Sequence, residues 1–168
     1  MKWLAGMGAI GIALAAVLTA FTRSAAAAEL GLANDPQNPL DLARILWTAA
    51  HAPTVLAVVR SHYPDAHLTS GYRNDAVNAA VKGSPSSFHR YGLAFDVGGL
   101  ATFADVVAAA RVLRASVGQL GDVRTILAEQ TRGLHVHLDF FDPFNSVTRD
   151  RNGPAFYQEN PDASWSPL

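Results

Sequence analysis

Residues 134–140, LHVHLDF, alternate without a break: Leu134, Val136, Leu138 and Phe140 fall on one side of an extended chain, and His135, His137 and Asp139 on the other. A strand written this way needs two different neighbours. Its apolar face has to be covered by other elements, while its ionisable face has to meet polar groups or water. Just upstream, residues 123–128 (VRTILA) are rich in β-formers, so the two runs predict an antiparallel hairpin turning at 131–133. Two histidines and an aspartate on one strand face also suit an ordinary hydrogen-bonded surface. What they do depends on what the rest of the chain brings to them.

Most of the chain reads as that support. Apolar residues three and four apart predict a helix over 41–50, with Asn38 as its cap and Pro39 in its first turn, and a separate second helix over 53–62. A short strand at 67–70 leads to Gly71, Tyr72 and Arg73, Asn74 caps a helix over 75–81, and 83–87 is a loop. Residues 93–97 alternate as a strand, and 102–117 is the clearest helix, with Phe103, Val106, Val107, Ala110, Leu113 and Val117 on one stripe. Residues 29–38 read as a linker, 39–141 as one domain, and 142–168, rich in Pro, Asn, Asp and Ser, as an irregular tail packed on that domain.

The first 28 residues carry Lys2, a long apolar run and a row of alanines with an A-x-A site at Ala26 to Ala28, the pattern of an export signal. The same run is long enough for an uncleaved membrane anchor. Either reading places the domain outside the cytoplasm, in the periplasm or cell envelope. Only 16% of the 168 residues are charged and the net charge is −1, so the basic footprint of a nucleic-acid binder is missing. Without cysteine, a metal site has to be built from His, Asp and Glu.

His89 and Asp96 stand seven residues apart around Gly92 in SFHRYGLAFD, and both are good zinc ligands. A catalytic zinc takes three protein ligands and keeps one position open, so these two and one His of the 135/137 pair supply the number. The other His is then free to hydrogen-bond a carbonyl oxygen. Ser87 lacks a G-x-S-x-G elbow and is not a nucleophile candidate.

The run SGYRNDAVNAAVKGSPSSFHRYGLAFD from Ser70 to Asp96, followed by LHVHLDF, resembles peptidase family M15, the zinc D-Ala-D-Ala carboxypeptidases and peptidoglycan endopeptidases. The S-G-Y-R, S-x-H-x-x-G-x-A-x-D and H-x-H motifs appear in the family's order. The resemblance implies an α+β fold, a small antiparallel sheet with helices packed on one side, shared with lysostaphin-type peptidases and the hedgehog signalling domain. It also implies one zinc per chain on His89, Asp96 and His137, with His135 beside the metal as a catalytic residue. Arg73 and Tyr91 would contact a peptidoglycan peptide substrate. Where family members often carry a general base three residues before the last zinc ligand, this chain has Leu134. Glu129 is the preferred replacement and Asp139 the other candidate. The alternative is a zinc-containing module that binds wall peptides without cutting them.

Overall fold

The computed structural model describes residues 34–144 and 155–168. The expected export signal, the first part of the linker and the middle of the tail lie outside these described residues. The elements in order are α1 (Pro39–Arg60), β1 (His67–Ser70), α2 (Asp75–Ala80), a 3-10 turn (Phe88–Tyr91) and β2 (Ala94–Gly98). They continue with α3 (Phe103–Ala115), α4 (Val117–Leu120), β3 (Val123–Glu129), β4 (His135–Phe140), β5 (Ala155–Glu159) and β6 (Trp165–Pro167). The fold class is α+β in a single domain.

Six strands form one sheet in the order β1-β2-β4-β3-β5-β6. The expected β3–β4 hairpin is present, and β2 pairs antiparallel with β4 on its other side. The sheet is mixed rather than wholly antiparallel, because β5 runs parallel to β3. Residues expected to be irregular thus extend the sheet by two strands. Phe156 is the reason: it pairs with Ile126 and packs on the main core, which anchors a segment whose composition alone signals a loop.

Strand alternation sorts the sheet into two faces. Phe95 and Val97 of β2, Val136, Leu138 and Phe140 of β4, and Ile126 and Ala128 of β3 are wholly buried in one cluster with α1 and α3. Each large side chain buried there contributes about 1.5–3 kcal/mol. The opposite face carries Asp96, His135, His137, Asp139 and Glu129.

The two helices expected at 41–50 and 53–62 are one helix, which runs through Pro53. Proline removes one hydrogen bond and crowds the preceding turn, which usually ends a helix. Here Ile45, Ala49, Ala52, Val55 and Val59 form a single buried stripe on both sides of it, and Pro53 itself is exposed. Continuous burial outweighs the lost bond. α1 is long and apolar enough to cross a bilayer by length and composition, yet this stripe makes it the core helix of the domain. Asn38 caps it by accepting from the Asp41 amide at 3.0 Å, and Thr102 and Asp105 form a capping box on α3.

Candidate metal centre

The turn carrying His89 is built by a satellite core. Phe88, Leu93 and Ala94 are buried with Trp47 and Tyr91 against them, and Gly92 closes the turn at φ 69°. A side chain there would place its Cβ 2.6 Å from Ile45 Cγ1, so the 3-10 turn rests directly on α1. His89 is thereby held over the polar face of the sheet, where its Nδ1 meets the Gly71 carbonyl at 2.6 Å. That carbonyl requires a proton on Nδ1 and leaves the Nε2 lone pair facing inward.

Pairing of β2 with β4 sets Asp96 directly against His137. Three atoms then converge: His137 Nδ1 lies 2.9 Å from Asp96 Oδ1 and 3.1 Å from His89 Nε2, and His89 Nε2 lies 3.2 Å from Asp96 Oδ1. Ligand atoms bound tetrahedrally to zinc at 2.0–2.1 Å are about 3.3 Å apart, so this triangle fits such an ion with little adjustment. The outer groups fit as well. His137 Nε2 faces Asp139 Oδ2 at 3.6 Å, and Asp96 Oδ2 accepts from Arg73 Nη2 at 2.9 Å. Metal-binding histidines and carboxylates characteristically have such partners on their far atoms.

The charges agree with the geometry. Burial alone would raise Asp96, but its electrostatic interaction with the His89 ring and the hydrogen bond from His137 hold its carboxyl well below the usual range. Burial would lower His137, yet Asp139 and Asp96 on either side push it up to about 10. Burial lowers His89 despite the pull of Asp96. The cluster thus favours ionised carboxylates with a proton held on His137 between them, the place a bound cation would take.

His135 lies one step along β4 and pairs with Glu129 of β3. Its Nδ1 meets the Gly133 carbonyl at 2.9 Å, while its Nε2 is 3.2 Å from Glu129 Oε2 and 3.8 Å from Asp96 Oδ1. Burial works against its charge, but the hydrogen bond to Glu129 and the Asp96 carboxylate raise its pKa. Glu129 is held down in turn, by the His135 hydrogen bond and the His137 charge, against the opposing effect of burial.

These groups line an open cleft of about 540 Å³, which Val81, Gly83, Ser84, Ser86 and Ser87 from the segment after α2 also line. The cleft brings together His89, Asp96, His137, His135, Glu129 and Arg73. Tyr91 is not among its lining residues. Its ring meets Phe88 edge-on at 6.4 Å and Arg44 of α1 at 5.8 Å, because the 3-10 turn that aims His89 inward aims Tyr91 toward the helix. Tyr72 is wholly buried in the core. Asp75, a natural partner for Arg73 by proximity in sequence, instead pairs with Arg90 at 2.6 Å. Asp139 is tied to Arg124 at 2.9 Å. Arg124 and Arg132 also line the cleft and were not singled out by sequence reasoning. For Arg124 a signal existed, a lone cation inside an apolar strand.

A two-histidine, one-carboxylate set at the floor of an open cleft defines a mononuclear metal-hydrolase type of centre. A family model described as Peptidase M15 matches residues 17–139, which is most of the chain, and the chain belongs to this family of zinc-dependent peptidases. No curated protein matches it. It is a peptidase, with a candidate metal site at His89, Asp96 and His137.

Proposed function

We propose that this chain is a zinc peptidase of the cell envelope that cleaves peptide bonds to D-amino acids in peptidoglycan stem peptides or crosslinks. The observation that carries the reading is the triangle of His89 Nε2, Asp96 Oδ1 and His137 Nδ1 at the floor of the cleft. The family supports the peptidase chemistry, and the apolar, alanine-rich N-terminal sequence supports export.

Zinc held by those three residues would supply a Lewis acid for the peptide carbonyl and acidify the attacking water. The chain's own groups do the rest. With Oε2 on His135, Glu129 keeps Oε1 to take a proton from water and return it to the departing amine. His135, charged through Glu129 and Asp96, would turn its Nε2–H from Glu129 Oε2 to the oxygen that becomes negative as the carbonyl is attacked. Arg73 fixes Asp96 through Nη2 and Ser70 through Nε, each at 2.9 Å, which leaves Nη1 for a carboxylate or carbonyl of the substrate. Leu134, which replaces the family's frequent acid, lies just before β4 and is 37% exposed rather than turned to the core. The carboxylate comes from the neighbouring strand instead.

The test is zinc content of the purified chain together with digestion of purified peptidoglycan, for wild type and for His89→Ala, Asp96→Ala, His137→Ala and Glu129→Ala. About one zinc per chain, lost in the three ligand variants, and release of peptide fragments abolished in all four is the expected result. Zinc uptake and wall-peptide binding without any cleavage would support the second reading, a non-cutting module, which Leu134 favours. Absence of zinc from wild type would overturn both.

A further inference from the structure

β3 carries a bulge near its start. Val123 pairs with Phe140 and Thr125 with Asp139, so Arg124 is an extra residue set against a single step of β4. In an unbroken strand it would alternate with Thr125 and point, like Ile126 and Ala128, into the helix-covered core. A bulge re-aims one side chain, and this one swings Arg124 to the cleft. There Nη1 donates to both Asp139 oxygens at 2.9 Å and to Thr125 Oγ1 at 3.2 Å. Its Cζ lies over the Phe88 ring, 4.3 Å from the centroid.

Both partners are neighbours of candidate metal ligands. Phe88 precedes His89 in the 3-10 turn, and Asp139 faces His137 Nε2 at 3.6 Å. One guanidinium therefore joins the loop of one ligand to the strand of another, 48 residues apart in sequence. We propose that Arg124 is a positioning residue for the metal, holding His89 and His137 in mutual register through Phe88 and Asp139. This rests on the reading of the centre given above. Asp139 is only 5% exposed, and a buried carboxylate without its cation would turn toward other donors and release the His137 ring. Loss of the ring contact frees the His89 turn at the same time.

Arg124 mirrors Arg73 on the same face of the sheet, across the cleft. β1 also carries an irregularity, between Leu68 and Ser70, and Arg73 behind it holds Asp96 as Arg124 holds Asp139. Each of these two carboxylates thus has its own arginine.

The experiment is zinc affinity of the full chain by competition with a chromophoric chelator, for wild type, Arg124→Ala, Arg124→Lys, Asp139→Asn and the Arg124→Ala/Asp139→Asn double variant. Thermal unfolding of each metal-free protein is measured beside it. Arg124→Ala should weaken zinc binding by about 10–100-fold while metal-free unfolding shifts by only a few degrees. Arg124→Lys should recover part of the loss, since an ammonium keeps the charge but cannot span both oxygens and the ring. The double variant should lose less than the product of the two single losses. Wild-type affinity in Arg124→Ala, or single losses that simply multiply, would overturn the proposal. If Arg124→Ala does not fold, unchanged affinity in Arg124→Lys overturns it equally. A wild type that takes up no zinc would instead sink the reading of the centre itself.

Discussion

At the scale of single residues, position on the strand decides role. Glu129 meets His135 because antiparallel register sets them opposite each other, and only an acid there can both charge the imidazole and reach the cleft. Glu129→Gln should lower kcat on a peptide substrate by about 10²–10⁴-fold while the zinc content stays unchanged, as metal analysis beside the kinetics would report. Glu159 has a different task. Its carboxylate accepts from the Gln130 and Thr131 amides at 2.7 and 2.9 Å and from Thr131 Oγ1 at 2.5 Å, tying β5 to the turn that carries His135. Burial would raise its pKa, but these bonds hold it below its ordinary 4.5. The folded chain therefore resists a proton that the unfolded chain accepts, so this stabilisation is full above 4.5 and is lost as pH falls through the lower folded value. Glu159→Gln should cost about 1.5–3 kcal/mol at pH 7, and denaturant titrations should show the gap to wild type closing in acid.

At the scale of elements, the 3-10 turn is held from two sides. Gly92 at φ 69° lets it reverse against α1, and Arg73 N donates to the His89 carbonyl at 3.1 Å. Gly92→Ala meets both a left-handed backbone and a 2.6 Å contact with Ile45. The backbone strain alone is about 1–2 kcal/mol. The expected result is a melting temperature lower by at least a few degrees together with weaker zinc uptake, since the displaced turn carries the candidate ligand His89; an unchanged melting temperature would contradict the packing described. The spacing of apolar residues in α1 was legible, but its continuity through Pro53 was not. Periodicity registers a stripe, whereas only the packed core shows that the stripe is buried on both sides of the proline.

At the scale of the whole molecule, the sheet separates stability from chemistry. One face is apolar and covered by α1 and α3, and the other concentrates three carboxylates and three imidazoles around one cleft. Such a cluster is costly to bury without a cation, so a metal bound at this candidate site would couple to folding. At free zinc a thousandfold above Kd, the metal should add about 4 kcal/mol to stability. For a chain of this length each kcal/mol is about 2–4 °C, so a chelator should lower the melting temperature by about 8–16 °C in calorimetry. A melting temperature indifferent to chelator would count against a tightly held ion.

The linear chain by itself determined the parts whose physics is local. Alternation set Val136, Leu138 and Phe140 of β4 toward the core, although Leu134, expected with them, lies just before the strand and is exposed, and the Asn38 and Asn74 caps marked helix starts. The motifs around Arg73, His89 and Asp96 named residues that the structure does bring to one cleft. Tertiary structure decided what depends on contacts between distant segments. It put Tyr91 against α1 rather than in the cleft, made strands of residues 155–159 and 165–167, and brought Glu129 to His135 in place of an acid at position 134. Arg124 shows the reason most plainly. Its side of the strand is reversed by a bulge that exists only because β3 and β4 pair out of step, and no spacing in a single strand records a mismatch with another.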